Sequence, residues 1–290
     1  MNQNFLALGL DELIVQAVDQ LGFEKPSPVQ EKCIPIVLNE DTDLVALAQT
    51  GTGKTASFGL PLIQKIDNDN RKTQALVLAP TRELCIQIAA DLKDFACFKK
   101  TNVVAVYGGA SITDQAKKLK KGAQVIVATP GRLQDMINRR LVDLSHIDYL
   151  VLDEADEMLN MGFQDAIDEI LETASEDRNT WLYSATMSKA VAKIASNYMK
   201  DPVEVTCGTK NQAASTVEHE YYLIDNRDRY RTLRRIVDSY PGIYAIIFCR
   251  TRAETQNVAE RLMADGYNTG GLHGDMSQGQ RDGVMKQFKT

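Results

Sequence analysis

Asp43-Leu44-Val45-Ala46-Leu47-Ala48-Gln49-Thr50-Gly51-Thr52-Gly53-Lys54-Thr55 is the stretch that decides how this chain is read. Its apolar first half has the length and composition of a buried strand, and its character changes abruptly after Ala48. Gly51 and Gly53 let the backbone turn tightly with its N–H groups facing inward, the arrangement by which a loop cradles phosphate. Lys54 can reach the outer phosphates, and the Thr55 hydroxyl can hold Mg²⁺. A helix starting near Ala56 adds its positive end to the same site. The general phosphate-loop pattern has glycine where this chain has Ala48, and alanine fits there if its φ is negative. The bland alternative is a glycine-rich turn with no nucleotide, which Gly-Lys-Thr directly after a strand argues against.

Working outward, 290 residues with 44% hydrophobic content exceed what one core usually organises, so two domains are expected. No apolar run has the length of a membrane span, and no membrane partner is expected. Met1 to Leu10 carries no basic residue ahead of its short apolar patch, so it does not read as a secretory signal, and cytoplasm is the expected compartment. Five cysteines, odd in number and without a Cys-x-x-Cys pair, suit reduced thiols better than disulfides or a metal site. His146, His219 and His273 lie far apart in the sequence. A net charge of −6 leans away from a nucleic-acid binder if taken alone. The excess acid lies before Val217. Basic clusters occur at Lys117-Lys118-Leu119-Lys120-Lys121 and from Arg227 to Arg235, each read as a solvated helix face.

Apolar residues at Leu10, Leu13, Ile14, Ala17, Val18 and Leu21 follow the spacing of an amphipathic helix, started by Asp11 and ended by Gly22. Pro26 and Pro28 forbid its continuation and set a rigid turn leading to Gln30, which the residues alone do not distinguish from an ordinary helix connector. Short apolar runs then recur at Ala75 to Ala79, Val103 to Tyr107, Val125 to Ala128, Tyr149 to Leu152 and Thr180 to Tyr183, with helical stretches between them. This alternation predicts an α/β fold with a parallel sheet covered on both faces. Each run ends in a small polar cluster: Pro80-Thr81-Arg82-Glu83-Leu84, Gly108-Gly109, Thr129-Pro130-Gly131-Arg132, Asp153-Glu154-Ala155-Asp156 and Ser184-Ala185-Thr186. In a parallel sheet these clusters emerge along the carboxyl edge, where such folds bind ligands.

Asp201-Pro202 and the polar run 208–216 read as a linker. The expected division is a nucleotide-binding domain over 1–207, a linker over 208–216 and a second α/β domain over 217–290. Strands are expected there at His219 to Ile224, Ala245 to Cys249 and Thr269 to Leu272, with helices at Arg229 to Ser239 and Ala253 to Ala264. Three strands are too few for a doubly wound domain, so the chain is expected to stop inside it.

Asp153, directly after a strand, suits Mg²⁺ coordination through water, and Glu154 suits acceptance of a proton from an attacking water. An acidic helix start favoured by the helix dipole is the alternative. It accounts for the acids but not for their pairing with a phosphate loop.

With Asp153-Glu154-Ala155-Asp156 in place, the chain resembles the DEAD-box ATP-dependent RNA helicases of bacterial type, a branch of superfamily 2, from about Phe5 onward. The specificity lies in the ordered set. Gly22 to Gln30 looks like the family's Q motif, Ala48 to Thr55 like its phosphate loop, Pro80 to Leu84 and Thr129 to Arg132 like its RNA-facing motifs, and Ser184 to Thr186 like its coupling motif.

The resemblance implies two RecA-like parallel-sheet domains, the second incomplete, with ATP and Mg²⁺ as cofactors. Gln30 would read adenine through its amide, with Phe5 stacked on the base. Lys25 and the loop Gln49, Thr50, Gly51, Thr52, Gly53, Lys54 and Thr55 would contact the nucleotide. Lys54, Asp153 and Glu154 would be catalytic, and Thr55 and Asp153 would hold Mg²⁺ through water. Pro80, Thr81, Arg82, Gly109, Thr129, Gly131 and Arg132 would meet the RNA backbone without reading sequence. Contacts to 2′-hydroxyls would select RNA over DNA. Ser184 and Thr186 would hydrogen-bond Asp156 and so couple the nucleotide site to domain closure. Phe248-Cys249-Arg250-Thr251 resembles the fourth motif, and Gln278 with Arg281 a further RNA-binding pair. The family's later motifs are not found before Thr290, so the implied protein is a fragment that binds nucleotide but is catalytically impaired. An ATP-gated RNA clamp that does not unwind, and a nucleotidase with a small-molecule substrate, are the competing readings.

Overall fold

The apolar run ahead of the phosphate loop is strand β1 (Leu44–Ala48), buried at all five positions. Its residues alternate between two cores: Leu44, Ala46 and Ala48 pack into one, Val45 and Leu47 into the other. That two-residue period is what a strand with helices on both faces demands. The structure, a computed structural model, describes residues 2–39, 41–207 and 218–289. The chain divides into two units, Met1–Thr216 and Val217–Thr290. The expected linker, 208–216, lies outside the described residues.

The first unit is built on one seven-stranded sheet. Besides β1 it contains β2 (Ala75–Leu78), β3 (Val103–Val106), β4 (Val125–Ala128), β5 (Tyr149–Leu152), β6 (Asn179–Ser184) and β7 (Val203–Cys207). The order is β3-β4-β2-β5-β6-β1-β7 and every described pairing is parallel. This is the expected α/β class. Register aligns the strand ends: Val106 stands opposite Ala128, Ala128 opposite Leu78, Leu78 opposite Leu152 and Leu152 opposite Leu182. The five polar clusters therefore leave the sheet side by side.

One strand departs from the sequence reading. Val203–Cys207, taken as the approach to a linker, pairs along the whole of β1. Pro202 sits just ahead of it, where its missing N–H costs no ladder bond. β7 is an edge strand with only Val205 buried, so its apolar signal is weak. At the opposite end of the sheet's strands, the Asp43 carboxylate accepts from Thr180 N and Lys200 N, both at 2.6 Å, and so ties β1, β6 and the approach to β7.

Local chemistry explains the helices that carry the site. Asp11 caps helix Glu12–Gln20 by accepting from Ile14 N at 2.9 Å. Helix Pro28–Asn39 starts on its proline, whose fixed φ suits a first turn. Helix Lys54–Lys65 follows β1, and Phe58 on it meets Tyr183 of β6 with ring centroids 5.2 Å apart.

The second unit, taken by itself, contains helices Arg229–Ser239, Arg252–Ala264 and Gln278–Lys289. The three strands expected at 219–224, 245–249 and 269–272 are not formed among the described residues. Leu223 and Phe248 are each 92% exposed. Apolar patterning reports which residues favour burial, whereas a strand also needs a neighbouring ladder and a covered face. No helix among the described residues is long and apolar enough to cross a membrane.

Candidate functional site

The phosphate-loop reading rests on backbone that only glycine adopts at ease. Gly51 and Gly53 have φ of 80° and 90°, and Gly53 is the N-cap of helix Lys54–Lys65 with no side chain capping it. The first-turn N–H groups of that helix are thus left for a ligand. Thr52 donates to Gln49 O at 2.7 Å and folds the loop on itself. Thr50 and Gly51 are exposed at the rim, while Gln49, Thr52 and Thr55 are half-buried.

Lys54 is the unusual member. It is only 6% exposed, and its Nζ has no hydrogen-bond partner among the described residues. A buried ammonium without a partner is costly, which makes it a cation held ready for an anion. The opposing charge comes from Asp153, directly after β5 and 3% exposed. Burial pushes the Asp153 carboxyl up to about 6, Lys54 pulls it down and Glu154 pushes it up again. Glu154 adopts left-handed backbone, φ 52° and ψ 51°, an uncommon conformation for a residue with a side chain. Its N–H donates to Asp153 Oδ1 at 3.0 Å. Such strain persists where the surroundings hold it and gathers at functional sites.

Gln30 joins this group across 23 residues of sequence. Its Nε2 donates to Gly53 O at 3.1 Å and its Oε1 accepts from Ser27 N at 3.0 Å. One N–H and one acceptor position of the amide remain. Lys25 is exposed on the approach to this helix. Phe5 requires a correction. It is wholly buried, 6.3 Å from Phe23 between ring centroids, and belongs to the core beneath the Q motif. A ring with no accessible face does not stack on a base, and Phe5 packs instead in the core against Phe23. A lone upstream aromatic carries no sequence signal that separates packing from stacking.

Asp156 corrects a second expectation. Thr186 holds it through both N and Oγ1, at 3.0 and 2.9 Å from Oδ2. Ser184 does not bond Asp156; its hydroxyl donates to Thr186 O at 2.8 Å, bracing the turn after β6. The link between the Asp153 cluster and β6 therefore runs through Thr186.

Along the same edge, Pro80 is buried, and Thr81 caps helix Arg82–Phe95 by accepting from Leu84 N at 3.2 Å. The Arg82 guanidinium lies 5.3 Å from the centroid of the Tyr107 ring. Gly109 has φ 78° and is exposed. Thr129 is the N-cap of helix Pro130–Asn138, its hydroxyl not used for capping, with exposed Gly131 in the first turn. Arg132 Nη1 donates to Ala110 O at 2.9 Å and to Gln115 Oε1 at 3.2 Å. Gln115, overlooked in the sequence, is buried and also donates to Tyr107 O at 3.0 Å. It aligns the loop after β3 with the one after β4. The available signal was a polar residue at an apolar-face position, between Ile112 and Leu119. In the second unit, Gln278 pairs with Asp282 at 3.0 Å and Arg281 donates to Gly274 O at 3.2 Å.

The description DEAD/DEAH box helicase matches residues 27–194, and Helicase conserved C-terminal domain matches 228–290. The chain belongs to the DEAD/DEAH box helicase family. It is 44% identical over 285 residues to ATP-dependent RNA helicase CshA of Listeria monocytogenes, covering 98% of this chain and 55% of that protein. ATP-dependent RNA helicase DeaD of Escherichia coli is 43% identical over 286 residues, covering 98% of this chain and 45% of the relative. A crystal structure of a DEAD box protein from Methanococcus jannaschii matches with a TM-score of 0.69 and 39% identity, covering 99% of this chain and 77% of that one. The chain spans about half the length of the curated relatives it matches.

Proposed function

We propose that this chain is the nucleotide-binding part of an ATP-dependent RNA helicase that binds ATP, Mg²⁺ and RNA and hydrolyses ATP to remodel short RNA duplexes. The observation that carries the reading is the buried Lys54 ammonium at an uncapped helix N-terminus, without a hydrogen-bond partner among the described residues and in the field of the buried Asp153 carboxyl.

These residues fit a magnesium nucleotide. The uncapped N–H groups and Lys54 hold phosphate oxygens. Thr55 and Asp153 offer hard oxygen donors, too few for a protein-only cage but suited to an ion that brings water and phosphates. When bound, Mg²⁺ neutralises charge on the phosphates. Glu154, oriented by its left-handed backbone, accepts the proton of the attacking water. Gln30 presents its remaining donor and acceptor to N7 and the amino group of adenine. With guanine an acceptor meets an acceptor, at a cost of about 1–3 kcal/mol. Lys25 and the loop from Gln49 to Thr55 complete the nucleotide contacts.

Pro80, Thr81, Arg82, Gly109, Thr129, Gly131 and Arg132 form the RNA side of the same edge, reading backbone rather than sequence. Within the second unit, taken by itself, Gln278 and Arg281 are assigned to RNA contact. Asp156 and Thr186, with Ser184 bracing the turn, carry occupancy of the nucleotide site toward closure. Free thiols and an RNA substrate suit the cytoplasm.

Titration of the chain with ADP and GDP, followed by ATP hydrolysis with and without single-stranded RNA, tests the proposal. Tight ADP binding with weak GDP binding is expected, together with little RNA-stimulated turnover from 1–290. Equal affinities for ADP and GDP would remove Gln30 from its role, and absence of ADP binding would overturn the whole reading.

A further inference from the structure

The basic run Lys117 to Lys121 finds no use in the nucleotide site, yet it closes helix Ile112–Lys120 between two grooves. The first, about 620 Å³, follows β3 from Tyr107 and Ala110 at the carboxyl edge to Asn102 and Lys121 at the amino edge. The second, about 420 Å³, passes from Lys121 beneath β4 to Arg71, Lys72 and His146. Lys121 lines both, so the two meet there.

Six Lys or Arg side chains line this path: Lys93, Lys118 and Lys121 in the first groove, with Arg71, Lys72 and Lys120 added in the second. The carboxylates facing it are Asp114 and Asp143. Asp114 already pairs with Lys117 at 3.8 Å, and Asp143 accepts from Ser145 N at 3.0 Å. Lysines in a last helical turn are favoured by the helix dipole alone. That explanation covers Lys93 too, in the last turn of helix Arg82–Phe95, but it does not reach Arg71 or Lys72, which lie outside the helices and face the same path. A concave surface lined mainly by one sign of charge attracts a polyanion, and this one, with six cations against two carboxylates, stands out on a chain of net charge −6.

We propose that these joined grooves bind RNA backbone as an extension of the motif-lined edge, leading a strand from the loop after β3 along helix Ile112–Lys120 to the amino edge of the sheet. RNA is favoured over an acidic peptide by continuity. The path opens at Tyr107, whose ring meets Arg82, and at Ala110, whose carbonyl holds Arg132. The inference rests on the RNA reading of that edge, and the test separates the two.

The triple variant Lys118→Gln, Lys120→Gln, Lys121→Gln alters only exposed side chains. It is compared with the parent and with Arg132→Gln for binding a hexanucleotide, a single-stranded RNA of about 20 nucleotides and polyglutamate, over a salt series. The triple variant is expected to bind the longer RNA at least about tenfold more weakly at low salt, with its log–log salt slope reduced by about 2. Its hexanucleotide binding and unfolding temperature should match the parent, while Arg132→Gln weakens both RNAs. If the triple variant binds the longer RNA with the parental slope, the path is overturned even where Arg132→Gln confirms the edge. If only the triple variant loses affinity, the grooves bind RNA on their own, and both the edge reading and the path as its extension are overturned. Loss of polyglutamate binding in the same proportion assigns the grooves to acidic peptides and overturns the RNA assignment, as does absence of RNA binding by the parent.

Discussion

A methyl group at Gly53 would act in two ways at once. Its φ is +90°, where a side chain is strained, and the added Cβ would lie 2.5 Å from Gln30 Nε2. Gly53→Ala is therefore expected to cost about 1–3 kcal/mol of stability and to displace the amide from Gly53 O. Thermal unfolding with and without ADP checks this, and a parental shift on ADP addition would show that loop and Gln30 act independently. At Glu154 an amide keeps the shape and removes the proton acceptor. In the full-length protein, Glu154→Gln should preserve ADP affinity and abolish ATP hydrolysis, while Lys54→Ala should weaken ADP binding itself; hydrolysis at the parental rate by Glu154→Gln would remove Glu154 from its role. Asp153 gives a pH signature in the absence of Mg²⁺. Its folded value, about 6, lies above the ordinary 3.8. The native state thus holds the proton more tightly, and this stability is complete below 3.8 and lost as pH rises through about 6. Asp153→Asn mimics the neutral form. Parent stability minus variant stability should fall by no more than about 3 kcal/mol over that window and be flat above it. A flat difference throughout would mean that Asp153 is solvated. The burial of Lys54 and Asp153 within reach of each other's charge was legible because phosphate loops have few alternatives. The Gln30 to Gly53 bond was not legible, since it spans 23 positions with no periodicity to announce it.

Helix Lys54–Lys65 aims the loop, and its position depends on close approach to helix Arg82–Phe95. A Cβ at Gly59 would meet Leu92 Cδ2 at 2.7 Å and Phe95 Cε2 at 2.9 Å. Alanine gains about 1 kcal/mol in helix propensity, whereas overpacking a tight core costs about 1–3 kcal/mol. Both neighbours are wholly or nearly buried, so they have little room to give. Overpacking should prevail. Gly59→Ala is expected to lower the denaturation midpoint and weaken ADP binding through a tilted helix, and a raised midpoint would show that the two helices slide apart freely. The strands β1 to β6 were legible because burial on both faces makes each a continuous apolar run. β7 was not, since only Val205 of its five residues is buried and Pro202 ahead of it imitates a break, whereas β3 at the other edge buries three of its four. The second unit failed in the opposite sense. Its apolar runs are present, but their ladders are absent among the described residues.

At the scale of the molecule the two units differ in how they hold their apolar residues. The first encloses Trp181, Tyr183 and Phe58 completely, while the second leaves Tyr221 86% and Phe248 92% exposed. Regions with few buried contacts open most easily and are cut first by proteases. Chymotrypsin, which cuts after accessible aromatic residues, is expected to digest the second unit at Tyr221, Tyr244 and Phe248 while the first survives. ADP should slow only the later cuts in the first unit, because a ligand at a hundred times its Kd stabilises what it binds by about 2.7 kcal/mol. The surviving fragment should bind ADP with parental affinity, since Gln30, Gly51 to Thr55 and Asp153 all lie within it. Mass spectrometry of the digest and ADP titration of the purified fragment measure both. Early cleavage between β1 and β6 would show that the first unit does not hold its core closed, and a loss of ADP affinity in the fragment would show that the residues named here do not suffice to bind the nucleotide.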